Sequence, residues 1–167
     1  REQHSNWIKQ QIENLFIQRF GNVKLESKYT ELTLKNTWIK CMPSRSVKDL
    51  RGYTDVAYVF CDESDYFEDS VNEELMYSIR PYQEKSKAKV ILASTANKPT
   101  GLMATLEKTE PDKWARIRLD YTYGVGTIYH TEELNKLKKS VEWPREYELQ
   151  WLGKQGNCFL PNQISEC

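Results

Sequence analysis

The chain has 167 residues, 39 % of them apolar and 29 % charged, with 24 cationic side chains balancing 24 anionic ones. That composition is the profile of a folded globular domain and excludes a disordered tract. The zero net charge leaves nucleic-acid binding to local patches rather than to the field of the whole molecule. The longest apolar runs, 56–61 and 90–93, are too short to cross a bilayer, so no membrane association is expected. Residues 1–6 are polar and no long apolar run follows, so no secretory leader is expected either. Cys41, Cys61, Cys158 and Cys167 lack the C-x-x-C spacing of a zinc site, and only two histidines are present. A reducing, intracellular setting is the expectation.

In chain order, apolar residues at Trp7, Ile8, Ile12, Leu15, Phe16 and Ile17 predict a helix over 3–20, packed on a sheet and stopped at Gly21-Asn22. Residues 30–34 and 37–42 alternate around Lys35-Asn36 and predict a hairpin or two adjacent strands. Residues 43–52 read as a polar loop carrying Arg45, Lys48 and Arg51. A β-prone run over 55–61 then stops at Asp62-Glu63, the pattern of a buried central strand that brings two carboxylates to a sheet rim. Val71, Leu75, Met76 and Ile79 predict a helix ending before Pro81.

A second buried strand is expected at 90–93, tipped by Ser94, Thr95 and Asn97. A short helix is expected to start at 102–106, and a third strand at 114–119. Strands separated by helices predict crossover connections and a mainly parallel sheet. Beyond residue 121 the spacing predicts a loop at 122–127. A helix over 132–139 with Thr131 as its N-cap comes next, then one over 145–152 that starts after Pro144 and ends at Gly153.

The chemistry concentrates at the two strand tips. A hard cation such as Mg²⁺ takes carboxylate and water oxygens. A second carboxylate beside it can orient the water that attacks a γ-phosphate. An apolar strand ending in Asp-Glu also occurs in proteins whose acids only solvate an edge, and short motifs misfire. Asp65, Glu68 and Asp69 do not form a calcium loop, because Phe67 stands where that loop requires glycine. They read instead as the solvated first turn of the next helix.

Taken in order, Arg51-Gly52, Val59-Phe60-Cys61-Asp62-Glu63, Ile91-Leu92-Ala93-Ser94-Thr95 with Gly101, Asn36-Thr37-Trp38-Ile39 and Glu146-Tyr147 with Trp151 and Gly153 resemble the large terminase subunit. That family is the ATPase motor that packages viral DNA. The resemblance implies an α/β fold, a partial P-loop NTPase of the additional-strand type with a mainly parallel sheet flanked by helices. Residues 1–121 would be the ATPase core, and 122–167 a helical segment leading toward a nuclease domain. It implies Asp62 as the Mg²⁺ ligand, Glu63 as the catalytic carboxylate and Arg51, or else Arg45, as an arginine finger acting on a neighbouring subunit. Ser94, Thr95 and Asn97 would contact ATP and couple its hydrolysis to movement.

Double-stranded DNA, a portal protein, a small terminase subunit and a homo-oligomeric ring are the implied partners. Ala96 departs from the family, in which many members carry proline there. The 167 residues contain no G-x-x-x-x-G-K-[ST] phosphate loop. With Arg1 at its start, the sequence is expected to be a fragment that is inactive alone. Asp120 could be imagined as a first nuclease ligand, but reads as an ordinary strand-end residue. A helicase-type ATPase would share the strand-tip chemistry. A non-catalytic α/β assembly module would carry the same acids for structural reasons.

Overall fold

A computed structural model describes residues 2–21, 26–34 and 36–151. Helix α1 (Glu2–Phe20) ends where Gly21 turns into the left-handed region at φ 71° and its N–H donates to the Ile17 carbonyl at 2.9 Å. Its inward stripe is Ser5, Ile8, Lys9, Ile12 and Phe16, while Trp7, Leu15, Ile17 and Phe20 face outward. The expected packing on a sheet is therefore partial, against strand β2. The apolar residues are too many and too widely spread to lie on one stripe.

Strands β1 (Glu26–Ser27), β2 (Glu31–Leu34) and β3 (Thr37–Lys40) form an antiparallel sheet in that order. The register pairs Glu31 with Lys40, and their side chains close an ion pair at 2.7 Å. Lys40 holds the Glu31 carboxyl below its ordinary range, first through this hydrogen bond and then through its charge.

Residues 44–52 are not the polar loop that was expected. They form a 3₁₀ segment (Ser44–Gly52) kinked at Ser46. Val47 and Leu50 lie three residues apart, one turn of such a helix, so both reach the core.

Strand β4 (Tyr58–Cys61), helix α2 (Asp69–Lys85) and strand β5 (Lys89–Leu92) make a parallel crossover unit, with Tyr58 opposite Lys89 and Cys61 opposite Leu92. The fold is thus α/β with two small sheets, one antiparallel and one parallel. Among the described residues it is not one mainly parallel sheet, because β1, β2 and β3 are consecutive and each pairs antiparallel with its neighbour in sequence. Strand β4 is shorter than 55–61 and is buried on one face only. Val59 and Cys61 point into a core built with Leu75, Met76, Ile79, Leu102 and Leu106. Tyr58 and Phe60 are 65 % and 63 % exposed, beside the exposed Ile91.

Helix α2 runs through Pro81 instead of ending there. An interior proline costs about 3 kcal/mol. Burial of Ile79 and Tyr82 around it contributes about 1.5–3 kcal/mol each. The Tyr82 hydroxyl also donates to the Leu50 carbonyl, tying the helix to the 3₁₀ segment.

Helix α3 (Leu102–Thr109) follows as expected, but 114–119 is not a strand. Those residues alternate without a partner strand, and Ile117 is 84 % exposed. Side chains hold them: Arg116 pairs with Glu107, and Arg118 donates to the Leu149 carbonyl at 2.7 Å. Period-two alternation describes any extended chain, whether or not a ladder exists.

Asp120 caps a 3₁₀ turn (Tyr121–Gly124), accepting from the Thr122 N–H at 2.9 Å. Its hydrogen bonds to the Thr122 hydroxyl and amide lower its pKa. Helix α4 (Thr131–Leu137) starts one residue early, so His130 and not Thr131 is the N-cap. The His130 N–H donates to the Glu133 carboxylate at 3.3 Å. Helix α5 (Trp143–Glu146) stops well short of 152, because Trp143 Nε1–H donates to Glu148 at 2.8 Å and Leu149 turns left-handed at φ 53°. Leu152 and Gly153 lie outside the described residues. Tyr121 packs on Trp143 with ring centres 4.7 Å apart. Among the described residues no helix is long and apolar enough to cross a membrane.

Burial pushes the Cys61 thiol from 9.0 up to about 11. Its folded-state value is the higher one, so the associated stability is complete below pH 9 and lost as pH rises from 9 to 11. Two pKa units correspond to roughly 3 kcal/mol. Urea unfolding at pH 8 and pH 11 is expected to show that loss, and Cys61→Ala is expected to reduce the difference between the two pH values.

Candidate functional site at the tips of the parallel strands

The β4–β5 ladder continues past both strands. Ala93 N–H donates to the Cys61 carbonyl at 2.9 Å, and Ser64 N–H returns to the Ala93 carbonyl at 3.1 Å. These bonds bring residues 62–66 face to face with 94–97. Between the two ladder bonds the chain must turn sharply, and it does so at Glu63, which sits left-handed at φ 51°, ψ 39°. A non-glycine residue there carries strain of about 1 kcal/mol and persists where the surroundings over-determine it.

The surroundings are built on Asp65. This carboxylate has no solvent exposure. Its Oδ2 accepts from the Asn97 N–H at 2.9 Å and its Oδ1 from the Met103 N–H at 3.0 Å. Met103 lies in the first turn of α3, whose N-cap, Gly101, has no side chain to offer, so Asp65 caps that helix from a distant part of the chain. Gly101 is required for this: a Cβ there would overlap the Asp65 carboxylate. The Asn97 side-chain amide donates back to the Asp65 carbonyl at 2.9 Å, closing a two-way clasp.

Ser94 lies inside this frame. Its Oγ accepts from the Asp65 N–H at 3.2 Å and donates to Glu63 Oε2 at 3.2 Å. Thr95 meets the Tyr66 hydroxyl at 3.2 Å, and Tyr66 donates onward to Glu146 at 3.4 Å, itself paired with Arg145 at 2.8 Å. The strand tips are thereby joined to α5.

The structure thus brings Glu63, Ser94, Thr95 and Asn97 together. Asn97 spends its amide on Asp65, and Thr95 spends its hydroxyl on Tyr66. Asp62 is exposed at the same tip. Among the described residues no three His, Cys, Asp or Glu side chains gather as a cation site. Asp62 is a single exposed carboxylate, so by itself it does not make a protein-held cation site; a hard cation there would take most of its oxygens from water or a ligand.

Arg51 is not drawn to the tips. It meets Glu74 of α2 at 2.6 Å, a charge contact without hydrogen-bond alignment, with its side chain 58 % exposed. The Arg51 side chain is open to water but the Glu74 oxygen it meets is buried, so Arg51→Ala leaves that oxygen without its charge partner and is expected to cost about 1–3 kcal/mol in urea unfolding. A groove of about 210 Å³ lies elsewhere, lined by Tyr29, Lys40, Met42 and Asp49 among others.

Asp65 and Tyr66 were missed as site residues by sequence reasoning, and Asp65 is not the solvated acid it was expected to be. The available signal was Gly101: a helix opening on glycine needs an acceptor from elsewhere.

No family model matches this chain. No curated protein matches it either.

Proposed function

We propose that this chain carries the hydrolytic strand tips of a P-loop ATPase of the terminase large-subunit type, which drives double-stranded DNA into capsids. The observation that carries the reading is the Glu63–Ser94 hydrogen bond, which joins a carboxylate and a hydroxyl across the tips of two adjacent parallel strands. Ligands of open parallel sheets sit at that rim. Glu63 orients and deprotonates the attacking water, and Asp62 supplies one carboxylate toward Mg²⁺, which when bound neutralises phosphate charge. Arg51, whose side chain is half exposed beside Glu74 of α2, would leave that pair to act on a neighbouring subunit's ATP in a homo-oligomeric ring. The phosphate-cradling loop comes from outside these 167 residues. A portal protein and a small terminase subunit, met in the cytoplasm of an infected cell, complete the assembly.

The test is Glu63→Gln in a polypeptide that joins this sequence to its phosphate loop. ATP turnover is expected to collapse while ATP affinity is retained. Surviving turnover would remove Glu63 from the reaction. A second reading, a non-catalytic assembly module, draws on the exposed Tyr58, Phe60 and Ile91 face. It predicts no ATP turnover in any form of the protein.

A further inference from the structure

We infer that Ser94 is a positioning residue for Glu63, acting on the water-orienting carboxylate and not on phosphate. The inference rests on the ATPase reading above. A serine hydroxyl has one proton to give. The Asp65 N–H can only donate, so at its 3.2 Å contact Ser94 Oγ must accept. The single hydroxyl proton is then directed at Glu63 Oε2, 3.2 Å away. Ser94 cannot turn that proton toward a phosphate without releasing Glu63.

The scaffold behind Ser94 is tied down by hydrogen bonds from a distant part of the chain. Asp65 is fully buried and holds Asn97 and Met103 by their backbone amides, so the loop from 94 to 103 is pinned at both ends. Asn97 returns a bond to the Asp65 carbonyl, so Asp65 is held through its main chain as well as its carboxylate, beside the amide that Ser94 receives. Glu63 meanwhile is held left-handed, with its side chain otherwise exposed to water. A free glutamate samples many rotamers. A donor on a pinned loop selects one of them, and hydrogen bonds to charged groups are among the stronger ones.

The experiment compares Ser94→Ala and Ser94→Thr, each alone and combined with Glu63→Gln, in the polypeptide that includes the phosphate loop. The readouts are kcat and KM for ATP, and thermal stability. Ser94→Ala is expected to lower kcat about 10- to 100-fold with KM within about twofold. Ser94→Thr, which keeps the hydroxyl, is expected to restore most of the rate. On the Glu63→Gln background, Ser94→Ala is expected to have no further effect, because the group it positions is gone.

A rise in KM or loss of ATP affinity as the main effect of Ser94→Ala would place the hydroxyl on phosphate and overturn the inference. So would an unchanged kcat accompanied only by lower stability, which would make Ser94 structural. If the parent protein hydrolyses ATP and Glu63→Gln leaves turnover intact, the reading of Glu63 fails and this inference fails with it. Absence of turnover in the parent would instead remove the ATPase reading itself.

Discussion

Asp65→Ala is expected to remove about 3–5 kcal/mol of stability, read as a lowered urea midpoint. The mutation strips the acceptor from the Asn97 and Met103 amides, each of which now gives a hydrogen bond to a buried charge. Such bonds contribute about 1.5–3 kcal/mol apiece, and buried donors left without partners add their own cost. Domains of this size are held by roughly 5–15 kcal/mol in total, so the loss is a large share. Asp65→Asn keeps the shape and one accepting oxygen but turns an NH₂ toward one of the two amides. It is expected to cost about 2 kcal/mol, between wild type and alanine.

Gly101→Ala attacks the same contact from the other side, by pushing a methyl group into the carboxylate. The two alanine substitutions are expected to be strongly non-additive, because removing the Asp65 side chain opens the space the new methyl needs.

The second large effect concerns Glu63. Glu63→Gln preserves size and backbone conformation but cannot take a proton, and turnover in the ATPase polypeptide is expected to fall roughly 10²- to 10⁴-fold. Glu63→Gly separates strain from chemistry. Its activity is expected to fall as far, yet the chain is expected to be more stable by about 0.5–1 kcal/mol, since glycine adopts φ 51° without the side-chain penalty. Thermal melts of the two variants beside wild type measure this directly. A residue that costs stability and carries the reaction is the usual trade at a working site. If the glycine variant is not stabilised, the backbone at 63 is not strained.

Much of the β4–α2–β5 unit was legible because its elements are long enough for their periods to show. Val71, Leu75, Met76 and Ile79 mark α2, and they are the residues found buried or packed against the core. The pairing of the Asp62-Glu63 tip with the Ser94 tip was legible too, since two strands joined by one helix run parallel and end at the same rim. What sequence could not show depends on partners far away in the chain. The alternation at 114–119 met no neighbouring strand. Pro81 was read as a stop, although burial on either side of it outweighs the lost bond. Asp65 looked like one more acid in a charged run, and only the return of 94–103 against it makes it the buried centre of the site. Arg51 was legible as a cation but not as a partner of Glu74, because that contact joins separate elements.

The outward face of the parallel pair has a further consequence, for the behaviour of the chain in solution. Parallel sheets are ordinarily covered on both sides. Here Tyr58, Phe60 and Ile91 stand bare on one of them, on a molecule whose charges cancel at neutral pH. Colloidal repulsion is then weakest where the adhesive surface is available. Turbidity or light scattering should peak near pH 7 and fall on either side. Phe60→Lys, which adds charge and removes an aromatic ring without touching the core face, should flatten that peak.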